Sequence, residues 1–373
     1  MKGKLHGIIF SYEKRSGLRE LTEARMPASV PFGGRYRLVD FILSSMVNAG
    51  ITDVGVVLQG NYQSLLDHLG SGKDWDLSRK HGGLRLLPAF ADDEIVGGVR
   101  EFRGKMEALA GVRSYLEGIR QKHVVLADSD LIINIPLQDV YQAHIASGAD
   151  ITAVCTSNVD SDADVTFFRL DDAGRVKETL FPLRDRTGCH RSLEIYVLSK
   201  ELLLKLVDDC MSHDLTSFRS AVLQAQAPSL HIQGYVWDGY AAQIRSVKEY
   251  YERSLELLDP SIRREVFPAG RPIHTKERND ASTYVDPAGV CCNCLVADGC
   301  TIEGTVENSI LFRGVSVAKG AEVKDCILMQ DTAVSRDAVL RHVIADKDVV
   351  VKEACTLMGT ANYPMSIAKG SKV

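Results

Sequence analysis

The sequence predicts an α/β domain with a mainly parallel sheet, followed by a left-handed parallel β-helix. Two patterns carry that reading. Through residues 1–258, apolar strand-like runs alternate with segments of helical spacing, as in a parallel sheet covered by helices. From residue 286 onward, short apolar pulses recur every 17 residues. Val306, Val323, Leu340 and Leu357 form one series, Leu311, Leu328 and Ala345 a second, and Cys300, Val317, Val334 and Val351 a third. Within a period the apolar positions fall about six apart, a hexapeptide rhythm that gives three short faces per coil and a stacked apolar column. Residues 259–285, with Pro260, Pro268 and Pro272, read as a connector.

In chain order, the strands expected in the first domain are Leu5–Phe10, Asp53–Leu58, His123–Ala127 and Ile151–Cys155. The expected helices are Phe41–Ala49 (stopped by Gly50), Tyr62–Leu69, a long one over Lys105–Lys122, and Val140–Ser147. Ligands of such sheets sit at the carboxyl ends of the strands. That rule points to Ser11–Gly17, Gln59–Gln63 and Asp128–Asp130 as the walls of a cleft.

Composition excludes several classes. Apolar content of 45% and charged content of 25% over 373 residues fit a soluble globular chain. A net charge of −5 leaves no footprint for nucleic acid or an anionic membrane. No signal peptide and no membrane-spanning run is read, and nine scattered cysteines point to a reducing, cytoplasmic setting. The group Cys291, Cys292, Cys294 and Cys300 lacks the paired spacing of a zinc site and reads as small buried residues of the coils.

The N-terminal segment carries the chemical argument. An apolar strand (Ile8, Ile9, Phe10) leads through SYEKRSG to LRELT, then RMPA, then PFGGRYRLVDF at Pro31–Phe41. Together with LSSMVNAGITDVGVVLQGNYQSLLDHLGSG (Leu43–Gly72) and HGGLRLLPA (His81–Ala89), this resembles the ADP-glucose pyrophosphorylase (glucose-1-phosphate adenylyltransferase) family along nearly the whole chain. The resemblance implies a Rossmann-like nucleotidyltransferase domain followed by the β-helix. Family members have a loop of the type LAGGxGxRLxxLT. Here Ser11–Gly17 keeps one glycine, and Tyr12, Glu13 and Lys14 place bulk where phosphates would approach the backbone. RAKPA is shortened to RMPA (Arg25–Ala28), so the family's lysine has become Met26 or is deleted with its neighbour.

Further departures follow. Asp130 matches the first of the family's two metal-holding aspartates, with Asp128 two residues earlier, while Gln243 falls on the second. An amide is a poorer Mg²⁺ ligand than a carboxylate. Asp238 is nearby but five residues out of register. GTADA has become GKMEA (Gly104–Ala108), and no EKP motif lies between Val165 and Glu194. The resemblance is therefore to the GlgD-type subunits, which keep the fold and lose the catalytic motifs. It implies no catalytic residues, with Asp130, Gln243 and Met26 vestigial. It implies no metal or other cofactor of the chain's own, Mg²⁺ belonging to a catalytic pyrophosphorylase partner in a homo- or hetero-oligomer. Lys14, Arg15, Arg25, Arg35 and Arg37 are the candidates for holding a phosphorylated effector or phosphate. The alternatives are an active nucleotidyltransferase with a metal site rebuilt from Asp128, Asp130 and Asp238, and a sugar-phosphate sensor without an enzyme partner. His68, Asp67, Trp75 and Tyr62 read as structural.

Overall fold

A computed structural model describes residues 3–11, 16–88, 91–93, 98–159, 165–181 and 185–373. The chain forms two compact units, one of residues 1–12, 42–60 and 70–241, the other of residues 13–41, 61–69 and 242–373.

The first unit is built on a nine-stranded sheet. Its strands in chain order are β1 (Leu5–Phe10), β2 (Asp53–Leu58), β3 (Gly83–Pro88), β4 (His123–Asp128), β5 (Ile151–Thr156), β6 (Phe167–Leu170), β7 (Val176–Leu180), β8 (His190–Ser199) and β9 (Ile232–Val236). Four of them run parallel in the order β4-β1-β2-β3. Every residue of β1 and β4 is buried, which is why these strands read as unbroken apolar runs. Beyond β4, β8 joins antiparallel and carries β6 and then β7; β5 pairs β8 antiparallel and β9 in parallel. The β5–β8 register shifts between Val154, opposite Ile195, and Cys155, opposite Ser192. Leu193 and Glu194 are the extra residues of that bulge.

The helices are α1 (Leu38–Asn48), α2 (Gln63–Leu69), α3 (Lys105–Gly111), α4 (Arg113–Glu117), α5 (Leu137–Ser147), α6 (Lys200–Ser212), α7 (Val247–Glu256) and α8 (Pro260–Val266). The single long helix expected over 105–122 is a correction: it is α3 and α4, parted at Val112 (φ −116°, ψ 23°) and ended at Gly118. Gly111 and the β-branched Val112 together interrupt the helix-forming run. The connector likewise contains a helix, α8, capped by Asp259 with Pro260 at its first turn.

In the second unit, three five-stranded parallel sheets start at Tyr284, Val290 and Leu295 and form the left-handed β-helix. Val306, Val323, Leu340 and Leu357 stack in register, as do Leu311, Leu328 and Ala345. The third series needs correcting. Ile302, not Cys300, stacks on Val317, Val334 and Val351, because residues 290–302 are offset from the next coil by 15 residues rather than 17. The corners explain why the repeat is legible. Asn308, Asp325 and His342 take positive φ at equivalent positions, as do Gly314, Asp331 and Asp348. Asn, Asp and Gly tolerate that conformation best. The buried column also holds Cys326 and Val343.

Candidate functional site

Among the described residues, charged side chains gather near the expected site residues at one place in each unit. The first lies at the carboxyl end of β4. Asp128 ends the strand, Asp130 follows two residues later, and both are buried. Lys105 opens α3 beside them. Its placement depends on Gly104, where a Cβ would fall 2.4 Å from the Thr216 carbonyl oxygen, and on the Met106 N–H, which donates to the same oxygen at 3.0 Å. The Lys105 ammonium stands 2.9 and 3.0 Å from the two Asp128 oxygens and 2.7 Å from Glu194 Oε2. Glu107, two residues on, accepts from the Arg103 N–H at 2.6 Å and from its guanidinium at 3.2 Å.

These residues do not fit a divalent ion. Asp128 and Glu194 already share a buried, covalently tethered cation, and a metal would have to displace it. Gln243 is buried, and its carboxamide oxygen accepts from Arg245. Asp238 is exposed in the loop after β9. Met26 is a core residue whose carbonyl accepts from the Ser29 N–H at 3.0 Å. Among the described residues, no group of three or more His, Cys, Asp or Glu could hold a metal ion. Of the four clustered cysteines, Cys291 and Cys292 are exposed and Cys294 half-buried, so only Cys300 is the buried coil residue expected. Trp75 is fully buried, as a packing residue should be.

The second place is a cavity of about 400 Å³ in the second unit. The PFGGRYR segment builds one wall. Pro31–Phe32 and Tyr36–Arg37 pair antiparallel around Gly33 (φ 60°) and Gly34 (φ 84°), a tight turn that presents Arg35 and Arg37. Asp40, in the first turn of α1, accepts from the Arg37 N–H at 2.9 Å and bonds His68 of α2 at 2.6 Å, so His68 and Asp40 are structural supports. Arg37 donates to the Ser64 hydroxyl at 3.0 Å. The other cations are Lys276 and Arg278 from the connector and Arg313, Lys347 and Lys369 from the β-helix.

Positive charge is in excess here. Burial, with Arg37 and Arg25 nearby, brings Lys347 down to about 7. Burial lowers Arg37 to about 10 and also depresses Arg313, which faces Arg35. Arg313 is buried; its Nε stands 3.5 Å from Asp280 Oδ2, and its Nη2 has no hydrogen-bond partner among the described residues. Buried donors without acceptors are costly, and a bound anion would satisfy them.

The anion candidates divide accordingly. Arg35 and Arg37 line the cavity. Arg25 does not: it is buried and paired with Asp346 at 2.9 Å, so its guanidinium is already committed. Lys14 and Arg15, like Tyr12 and Glu13, lie outside the described residues. Sequence reasoning missed Arg278, Arg313, Lys347 and Lys369, because residues so far apart in sequence give no local cluster.

Residues 8–177 match the nucleotidyl transferase family model, and residues 280–361 the GlmU-like C-terminal hexapeptide model. The glycogen biosynthesis protein GlgD of Bacillus subtilis (strain 168) is 35% identical over 367 residues, 98% of this chain and 95% of that protein. The chain belongs to the GlgD family. A second GlgD family member, from Geobacillus stearothermophilus, is 37% identical over 87% of the chain and 84% of its own length. The glucose-1-phosphate adenylyltransferase of the same organism is 30% identical over the same shares, so the GlgD family and that enzyme share one architecture. Among the described residues no helix is long and apolar enough to cross a membrane.

Proposed function

We propose that this chain is a non-catalytic regulatory subunit of glucose-1-phosphate adenylyltransferase in bacterial glycogen biosynthesis, acting in the cytoplasm with a catalytic pyrophosphorylase subunit that forms ADP-glucose and pyrophosphate from ATP and glucose 1-phosphate. The observation that carries this is the state of the β4 cleft. The carboxylate beside the expected metal position is occupied by Lys105, and the position expected for a second carboxylate is Gln243. Phosphoryl chemistry of this kind depends on a cation that offsets the phosphates. A cleft whose Asp128 and Glu194 are spent on a lysine, and whose second expected carboxylate is an amide, has a weakened hold on such a cation.

The cavity of the second unit supplies the regulatory half of the reading. Arg35, Arg37, Arg313 and Lys347 offer charge-assisted donors to a phosphate or a phosphorylated effector. Regulation requires that such an anion favour one state of the assembly over another.

The test is direct. The purified chain with ATP, Mg²⁺ and glucose 1-phosphate is expected to form no measurable ADP-glucose. Added to a catalytic subunit, it is expected to raise turnover or shift the response to phosphate. Turnover by the lone chain near an ordinary enzyme rate of about 10 s⁻¹ would support the active-enzyme alternative instead. No effect on any catalytic subunit, with anion binding intact, would support a sensor.

A further inference from the structure

The Lys105 cluster asks for an explanation beyond the loss of a catalytic group. Three features of it are unfavourable taken singly. A lysine at the first residue of a helix lies against the positive end of the helix dipole. Its ammonium is nine-tenths buried, which disfavours the charge. Glu194 holds φ at 53°, a left-handed conformation that glycine adopts freely and glutamate does not. Neither the dipole nor the burial nor the backbone explains itself; the three-way pairing explains all of them.

The backbone aims the cluster. The last couple on that side of the β4–β8 ladder is Ile195 with Ala127, so Glu194 and Asp128 are the next residues on their strands. The bulge in β8 turns Glu194 to the carboxyl end of β4, a use to which such bulges are often put. Thr166 Oγ1 donates to Glu194 Oε1 at 3.3 Å and leaves Oε2 for Lys105. The rings of Phe10 and Tyr196 lie 5.6 and 6.0 Å from the ammonium.

We infer that Lys105 is a resident cation: its ammonium occupies the place between Asp128 and Glu194 that would otherwise draw a divalent ion, and its removal converts the two carboxylates into a divalent-cation site. The inference concerns what this cleft binds. It holds or fails whether or not the chain works with a catalytic subunit, so its test is separate from the turnover assay.

Mn²⁺ suits oxygen donors and is read directly by electron paramagnetic resonance. Three full-length proteins are compared: the natural chain, Lys105→Met, and Lys105→Met with Glu194→Gln. The natural chain is expected to leave the free Mn²⁺ signal intact and to melt at the same temperature with and without Mn²⁺. Lys105→Met is expected to melt lower, to sequester about one Mn²⁺ per chain, and to regain most of the lost melting temperature when it does. Adding Glu194→Gln is expected to weaken Mn²⁺ binding by about tenfold or more. Two results would overturn the inference: Mn²⁺ binding by the natural chain that Asp128→Asn abolishes, or a folded Lys105→Met with no response to Mn²⁺. If Lys105→Met does not accumulate folded, it is refolded from urea with and without Mn²⁺. Recovery that depends on Mn²⁺ supports the inference, and failure under both conditions counts against it.

Discussion

Anion binding in the cavity of the second unit should be linked to a proton, and Lys347 is the group that links it. Its side chain is half-buried and faces Arg37, Arg25 and Lys369, which outweigh the nearby Asp346 carboxylate, and its pKa falls to about 7. A bound sulfate would add negative charge and raise that value, so binding must take up a proton. The sign follows: affinity rises as pH falls through 7. If sulfate binds only the charged form, the charged fraction grows from about one-tenth at about pH 8 to about nine-tenths at about pH 6, a tenfold gain worth about 1.4 kcal/mol. Sulfate is the suitable probe, because its own charge does not change in this range. Titration calorimetry across that range, in buffers of different ionisation enthalpy, reads both the affinity and the proton taken up. Lys347→Met should bind sulfate more weakly and with a flat pH profile. A second titrating side chain on the wall is His68, and burial lowers its pKa despite the Asp40 carboxylate. A tenfold pH dependence that survives in Lys347→Met would assign the proton to His68 and refute the reasoning. The folded chain carries a linkage of its own. A lysine lowered on folding binds fewer protons in the native state than in the unfolded one, so it contributes stability that grows as pH rises from about 7 toward 10.5.

Other perturbations test the frame around the site. Arg25 and Asp346 form a pair that is almost fully buried, so Asp346→Asn should leave an unpaired charge and lower stability by about 3–5 kcal/mol, read from the urea midpoint. Leu340 is wholly buried in the β-helix column, and Leu340→Ala should cost about 2–5 kcal/mol by the same measurement. In mixtures with a catalytic subunit, Arg313→Met should blunt any response to phosphate, measured as the shift in the phosphate concentration giving half effect, while leaving the chain's own melting temperature close to that of the natural protein.

The legible parts of this chain were those where one physical cause repeats. The β-helix showed itself because each coil must place an apolar residue in the column and a left-handed residue at the corner. Leu311, Leu328 and Ala345 satisfy the first demand and Asn308, Asp325 and His342 the second. Cys300 misled because the repeat slips by two residues at that coil, and a cysteine at an apparently periodic position is indistinguishable by spacing from the Ile302 that does the stacking. The core strands were legible for a similar reason, burial on both faces. The break between α3 and α4 was not, since a Gly–Val step inside an apolar run is compatible with a continuous helix.

The two charged sites were half-legible for opposite reasons. Arg35 and Arg37 stood out because they are neighbours in sequence, yet the cavity they line is completed by Arg313, Lys347 and Lys369, which only the coiling of the β-helix brings to them. Arg25 belonged to the same sequence cluster and is spent on Asp346. In the β4 cleft the sequence displayed each departure as a subtraction: a lost lysine, a carboxylate become Gln243, a GTADA become GKMEA. The folded chain shows that the last of these is also an addition. Lys105 brings a charge into the cleft, and Glu194 meets it from a backbone conformation that glutamate holds only at a cost. Simple decay of an unused site has no need to keep a buried cation and two partners in register. The cluster is better understood as the part that keeps a carboxylate-lined cleft stable, with the Lys105 ammonium offsetting Asp128 and Glu194.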